Sequence, residues 1–103
     1  MSSRADTFRK FIAARPDDPF PRYSLAMELK NHGNKEEART TFVELEQKFP
    51  DYIPQYLMHA NLLTEMGQRD EAIAVLRRGI PVAARKGDGH ASGEMQSALA
   101  ALE

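Results

Sequence analysis

Apolar residues recur along this chain at intervals of three and four positions, the spacing that places side chains on one face of a helix. The last segment is typical, with Ala91, Met95, Ala98 and Leu102 separated by four, three and four positions. No run alternates apolar and polar residues with several β-branched side chains, as a half-buried strand would. The pattern therefore predicts an all-α protein.

Glycine and proline divide this pattern into six helices. Gly33 and Gly67 each follow an apolar run, where a glycine in the left-handed conformation commonly ends a helix. Asp18 stands before a proline and is typical of a helix start. Asn34 is predicted to cap the next helix, with Glu37 closing a capping box. The expected helices cover residues 3–15, 19–32, 35–48, 53–66, 69–86 and 89–102.

Pro81 lies inside the fifth predicted helix. A proline at this position removes the backbone hydrogen bond to Arg77 and crowds the preceding turn, at a cost of roughly 3 kcal/mol in a regular helix. We expect a kink at Pro81 or a break near Gly79.

Many positions are related by a spacing of 34 residues. The pairs with this spacing are Phe8 and Phe42, Pro16 and Pro50, Asp17 and Asp51, Ala26 and Ala60, Leu29 and Leu63, Gly33 and Gly67, Glu37 and Glu71, and Ala38 and Ala72. Eight pairs in one register indicate a repeated unit, and the short predicted loops require neighbouring helices to be antiparallel. Because one amphipathic helix pair cannot bury its apolar stripe alone, the predicted fold is an antiparallel helix-pair solenoid.

This repeat resembles the tetratricopeptide repeat (TPR), in which a bulky residue is followed by Leu and a small residue, a large residue, and then Ala, Phe and Pro. The matching positions are Arg22, Leu25, Ala26, Leu29, Ala38, Phe42 and Pro50, then Tyr56, His59, Ala60, Leu63, Ala72, Leu76 and Ala84. Arg22, His59 and Ala84 depart from the Trp, Leu and closing Pro of the family. We expect the four alanines that share the repeat spacing to be buried where helices approach closely.

The resemblance implies one TPR-like domain over residues 1–103, a superhelix of about six helices. It divides into an N-terminal half repeat (3–18), two repeats (19–52 and 53–86) and a capping helix (87–103). Since about three helix pairs are near the minimum for independent stability, we expect the chain to be the whole protein.

The composition of the chain argues against several kinds of partner and site. Lys and Arg number 14 and Asp and Glu 15, a net charge of −1, which argues against nucleic acid or an anionic membrane as the partner. No run approaches the roughly 18 apolar residues of a membrane span, and the absence of cysteine excludes disulfides, thiolate metal sites and cysteine nucleophiles. Basic residues around Phe8 and Phe11 faintly resemble a transit peptide, but the repeat register favours a first helix of the fold. We expect a cytoplasmic protein.

The three histidines are the candidate metal-binding or general-base residues. His90 and Glu94 are four positions apart without a third ligand at a fixed spacing, which favours a solvated pair. His59 replaces a core Leu and is predicted to pack inside, and His32 at a helix end complements the helix dipole. The sequence has no nucleophile elbow and no glycine-rich phosphate loop. We therefore expect no enzyme activity, no metal and no cofactor.

In TPR proteins the first helix of each pair lines a concave groove that takes a peptide. The resemblance implies a groove here with the contact residues Phe20, Tyr23, Met27, Lys30, Asn31, Leu57, Met58, Asn61, Thr64 and Glu65. The apolar members form a second stripe beside the core stripe, which indicates contact with something else unless the superhelix itself buries Met27 and Met58. Tyr23, Met27 and Met58 replace the Lys and Asn of relatives that grip a C-terminal carboxylate, so we do not expect that mode of binding.

The leading hypothesis is a protein–protein interaction module, a scaffold that binds a peptide or partner protein in an apolar-centred groove. The alternative is a self-associating, homodimeric solenoid with no separate peptide ligand. In that case the same residues, or Leu99 and Leu102 of the closing helix, would form the dimer contact.

Overall fold

The computed structural model describes residues 3–103, and within this range it contains six α-helices and no strand. The helices are α1 (Arg4–Ala14), α2 (Pro19–Asn31), α3 (Lys35–Lys48), α4 (Pro54–Glu65), α5 (Arg69–Arg85) and α6 (Gly89–Leu102). The all-α prediction is confirmed, and every helix boundary lies within one residue of the predicted one.

The chain forms two compact units. Unit 1 ends at Phe49 and contains α1, α2 and α3, whereas unit 2 begins at Pro50 and contains α4, α5 and α6. The first predicted repeat therefore supplies α2 and α3 of unit 1, and the second supplies α4 and α5 of unit 2. The single domain expected over residues 1–103 stays a prediction.

In unit 1, α2 packs against both α1 and α3. The buried apolar residues recur at helical intervals on α2 and α3 and are Leu25, Ala26, Leu29, Ala38, Phe42 and Leu45. Ala26 and Ala38 are completely buried, as expected where two helix backbones approach closely. Ala60 and Ala72, one repeat further on, are also buried, so the prediction for all four alanines is confirmed.

In unit 2, α5 packs against both α4 and α6. The core cluster of this unit consists of Tyr56, Ala60, Leu63, Ala72, Val75, Leu76, Val82, Ala83 and Met95. Helix α6 covers the cluster with the stripe that the sequence predicted, because Met95 belongs to the cluster and Ala91, Ala98 and Leu102 pack against it. The apolar periodicity of the last segment thus marks a helix face that lies on the core.

Helix α5 continues without interruption through Pro81, so the expected break near Gly79 is wrong. Gly79, Val82 and Ala83 are buried around the proline, whereas Pro81 itself is exposed. Burial of these neighbours stabilises the helical conformation that a proline alone disfavours, because tertiary packing overrides local propensity. The expected kink at Pro81 stays a prediction.

Three helices end at a glycine in the left-handed conformation: Gly33, Gly67 and Gly87, with φ of 82°, 76° and 76°. The N–H of Gly33 donates to the carbonyl of Lys30 at 3.2 Å, and the next N–H along the chain donates to the carbonyl of Leu29 at 2.9 Å. The same two bonds recur after α4 and α5. This Schellman arrangement satisfies carbonyl groups that have no partner inside the helix, and it confirms the predicted helix ends.

The start of α3 differs from the prediction. Asn34 makes no side-chain cap bond, and its N–H is already donated to the end of α2, so Glu37 cannot close a capping box through it. Glu37 instead accepts a hydrogen bond from Arg9 of α1 at 2.6 Å. Asp18 caps α2 as predicted, because its carboxylate accepts a bond from the N–H of Phe20 at 3.0 Å.

Candidate functional site

Helix α2 carries a second apolar stripe outside the core. Phe20, Tyr23 and Met27 are spaced by three and four positions, so they share one face of the helix. Phe20 is 60% exposed, which is the largest exposure among the large apolar side chains of the described residues, and Tyr23 and Met27 are half-buried. Lys30 and Asn31 lie at the C-terminal end of this stripe. We call these five residues the α2 face.

The partial burial of Tyr23 affects the ionisation of its phenol. Loss of hydration around the side chain disfavours the phenolate and raises the pKa of Tyr23 above its ordinary value of 10.0. The phenol of Tyr23 is neutral at physiological pH, and the ring is half-buried. A ring with a polar tip suits an interface that is apolar at its centre.

The corresponding residues of α4 are more polar than those of α2. The 34-residue spacing relates Phe20, Tyr23 and Met27 to Pro54, Leu57 and Asn61. The predicted contact residues on this helix, which we call the α4 face, are Leu57, Met58, Asn61, Thr64 and Glu65. Of these, the three that lie nearest the helix start are half-buried, and Thr64 and Glu65 are exposed.

Two members of the α4 face already have contacts within unit 2. Leu57 packs against the core cluster of the unit. The hydroxyl of Thr64 donates to the carbonyl of Ala60 at 2.9 Å. The exposed apolar side chain of the sequence-predicted site, Phe20, lies on α2 in unit 1. On α4 in unit 2, Leu57 and Met58 are half-buried and the other predicted residues are polar.

The histidines occupy the positions that the sequence predicted. His59 is 4% exposed, which confirms that it packs inside. His90 Nε2 lies 3.2 Å from Glu94 Oε1, and both side chains are largely in solvent. His32 follows the end of α2, with Nε2 2.9 Å from Glu28 Oε2. Across residues 3–103 no group of three or more His, Cys, Asp or Glu could hold a metal ion.

Sequence reasoning missed a cleft in unit 1, which we call the unit 1 cleft. It has a volume of about 430 Å³ and is lined by Ser3, Arg4, Ala5, Glu28, Leu29, His32 and Asn34. The Glu28 side chain is only 13% exposed, and its Oε1 lies 3.7 Å from Arg4 Nε. The four-residue spacing of Glu28 and His32 could have indicated the pair, but the contact between α1 and α2 is not readable from spacing.

Within each unit, consecutive helices pack against each other, and matching small and apolar residues recur every 34 positions along the chain. These two features define a helical-repeat protein. None of the described helices is long and apolar enough to cross a membrane. No protein-family model matches the chain, and no curated protein sequence does either.

Comparison with solved structures identifies the kind of repeat. The chain is similar to the solution NMR structure of a tetratricopeptide repeat domain protein from Salinibacter ruber, with a TM-score of 0.81 and 36% identity over 85% of this chain and 89% of that one. A crystal structure of a tetratricopeptide repeat domain protein from the same organism gives a TM-score of 0.78 and 35% identity, over 82% and 96% of the two chains. A Bordetella parapertussis protein shares the fold at 20% identity, with a TM-score of 0.81 over 99% of this chain and 89% of that one. The chain belongs to the tetratricopeptide repeat family.

Proposed function

We propose that this protein is a non-enzymatic protein-interaction module and that the α2 face is its principal contact surface. The observation that carries the proposal is the exposed Phe20, which continues along the helix into the half-buried Tyr23 and Met27. These three side chains lie on a different face of α2 from its buried residues Leu25, Ala26 and Leu29. Membership of a family of helical-repeat proteins supports an interaction role in general terms.

The chemistry of the α2 face suits an apolar segment of a partner polypeptide. Aromatic residues dominate binding energy at many protein interfaces, and methionine adapts its shape to different apolar neighbours. Lys30 and Asn31 supply a polar edge at one end of the face. We propose that the α4 face adds further contacts, chiefly through Met58 and Asn61. A concave groove containing both faces and a cytoplasmic location stay predictions.

Peptide selection tests this proposal. A displayed library is selected on the wild-type protein and depleted on Phe20→Ser, so that only ligands of the α2 face remain. Dissociation constants are then measured for Tyr23→Ala, which we expect to lose on the order of 2 kcal/mol of binding while its melting temperature changes little. Phe11→Ser is the matched control, because Phe11 is an exposed aromatic residue on α1, 49% exposed.

The possible results of this experiment distinguish a binding role of the α2 face from a structural one. Loss of binding in Tyr23→Ala with full binding in Phe11→Ser supports the α2 face. If Tyr23→Ala unfolds the protein, Tyr23 is a core residue and the proposal fails. If no peptide survives the depletion on Phe20→Ser, the α2 face is not the binding surface. If the surviving peptides bind Tyr23→Ala as tightly as wild type, Tyr23 is not part of the contact.

A further inference from the structure

The unit 1 cleft contains a largely buried carboxylate, Glu28, beside an exposed guanidinium, Arg4. The Glu28 side chain is 13% exposed, whereas the Arg4 side chain that neutralises it is 78% exposed. The two approach only through Arg4 Nε and Glu28 Oε1, at 3.7 Å, and not through the paired bonds that make arginine–carboxylate contacts strong. Glu28 Oε2 lies 2.9 Å from His32 Nε2, whereas within residues 3–103 Oε1 has only this distant contact with an exposed arginine and is available to a closer cation.

Arg4 also has a second favourable contact in the same position. Its guanidinium lies 5.9 Å from the centre of the Phe8 ring on the same helix, within the range of a cation–π contact. The Arg4 side chain is 78% exposed, so a guanidinium displaced from Glu28 would remain hydrated. Displacement of Arg4 therefore costs little, as for most exposed ion pairs.

We propose that the unit 1 cleft binds the ammonium group of a lysine side chain from a partner polypeptide. Glu28 Oε1 would accept a hydrogen bond from the ammonium group. The apolar Ala5 and Leu29 in the lining would contact the aliphatic stem of the lysine. The site is separate from the α2 face, so the inference does not rest on the function proposed above.

The carboxylate geometry favours ammonium over guanidinium. Glu28 Oε2 lies 2.9 Å from His32 Nε2, so one carboxylate oxygen is already engaged. A guanidinium binds best when both carboxylate oxygens are available, whereas an ammonium is a compact point charge that is satisfied by one oxygen and its neighbours. The side chain of Asn34 provides a further polar group in the lining.

Amide chemical-shift titration of the full chain tests this inference. The probe is lysine blocked at both ends, and blocked norleucine, which has the same stem without the charge, is the control. We expect a saturable shift of the amides of residues 4–5 and 28–34 with the lysine probe only. Glu28→Gln should weaken binding by roughly threefold to tenfold, whereas Arg4→Ala should strengthen it, because a competing cation is removed.

The sign of the Arg4→Ala effect distinguishes this site from a simple surface ion pair. Arg4 is highly exposed, so this variant is expected to keep the wild-type fold even if Glu28→Gln does not. Equal shifts with norleucine, unchanged binding in Glu28→Gln or weaker binding in Arg4→Ala would each overturn the inference. Tighter binding of spermidine than of the lysine probe would overturn the assignment to a polypeptide side chain. Phe11→Ser, the exposed control position on α1, should leave lysine binding unchanged.

Discussion

Two glycines that lie inside helices have different structural roles, although their positions look alike in the sequence. Gly79 and Gly93 both lie inside helices, α5 and α6 respectively. A β-carbon at Gly79 would lie 2.5 Å from Tyr56 Cβ and 2.7 Å from Met95 Sδ, whereas a β-carbon at Gly93 would meet nothing within 4 Å. The first glycine therefore permits close helix packing in unit 2, and the second has no steric role.

The glycine pair gives a matched stability prediction. We expect Gly79→Ala to destabilise the protein by roughly 1–3 kcal/mol, because the added carbon overpacks the contact with Tyr56. Gly93→Ala should stabilise it by about 0.5–1 kcal/mol, because alanine is the better helix former and the site is open. Urea denaturation of both variants measures the difference. Equal free energies of unfolding would show that α5 is not as closely packed as the structure indicates.

Tyr23 predicts a pH dependence of stability. Its pKa is raised in the folded state, so the folded protein holds the phenolic proton more tightly than the unfolded chain does. The contribution to stability is constant well below pH 10.0 and is lost as the pH rises above this value, through the raised pKa of the folded state. Tyr23→Phe has no phenolic proton and should show a shallower alkaline decline.

Urea denaturation of wild type and Tyr23→Phe between pH 8 and about pH 11 measures this effect. Comparing the two proteins cancels the titration of lysines and of the other tyrosines, which they share. Parallel stability profiles would mean that Tyr23 is as well hydrated in the folded protein as in the unfolded chain.

Among the secondary-structure elements, helices α2, α4 and α5 share the same C-terminal motif. Each ends at a left-handed glycine followed by a residue whose N–H returns to the helix. This arrangement explains why the capping box at Asn34 does not form: the end of one helix and the start of the next compete for the same N–H. Where two helices are joined by so short a turn, the C-terminal motif can consume the donor that an N-terminal motif needs.

Gly67→Ala tests the helix end of α4. Nothing lies within 4 Å of a β-carbon at this position, so the substitution acts only through the backbone, with φ of 76°. We expect a loss of about 1 kcal/mol in the free energy of unfolding, because an L-residue is strained in the left-handed conformation. Gly89→Ala at the start of α6 is the control, since that site is also open and its φ is not positive. An equal response in the two variants would argue against a left-handed backbone at Gly67.

At the scale of the whole molecule, the two hypotheses for function differ in oligomeric state. Leu99 and Leu102, the residues suggested for a dimer contact, are partly buried against the core of unit 2. Because part of each side chain already contacts this core, α6 exposes less apolar surface that a second copy of the protein could bind. The exposed Phe20 lies in unit 1 instead.

Sedimentation across a wide concentration range tests this difference. We expect one species with the 11.6 kDa mass of the single chain at every concentration. A dimer that grows with concentration and disappears in Phe20→Ser would mean that the α2 face binds another copy of the protein. A dimer that persists in Phe20→Ser would move the self-contact to a different surface.

The sequence alone determined the helices, the glycines that end three of them, the four buried alanines and the apolar face of α6. Helical periodicity and the left-handed preference of glycine act over a few residues, and the 34-residue spacing repeats that local information, so Gly33, Ala72 and the α6 stripe were all predictable. Tertiary structure decided the continuity of α5 through Pro81, where burial of Gly79 and Ala83 outweighs the proline. It also decided the pairing of Arg9 with Glu37 and of Arg4 with Glu28, and the unequal exposure of Phe20 and Leu57. These features depend on which side chains from distant parts of the chain meet, and no local spacing encodes such contacts.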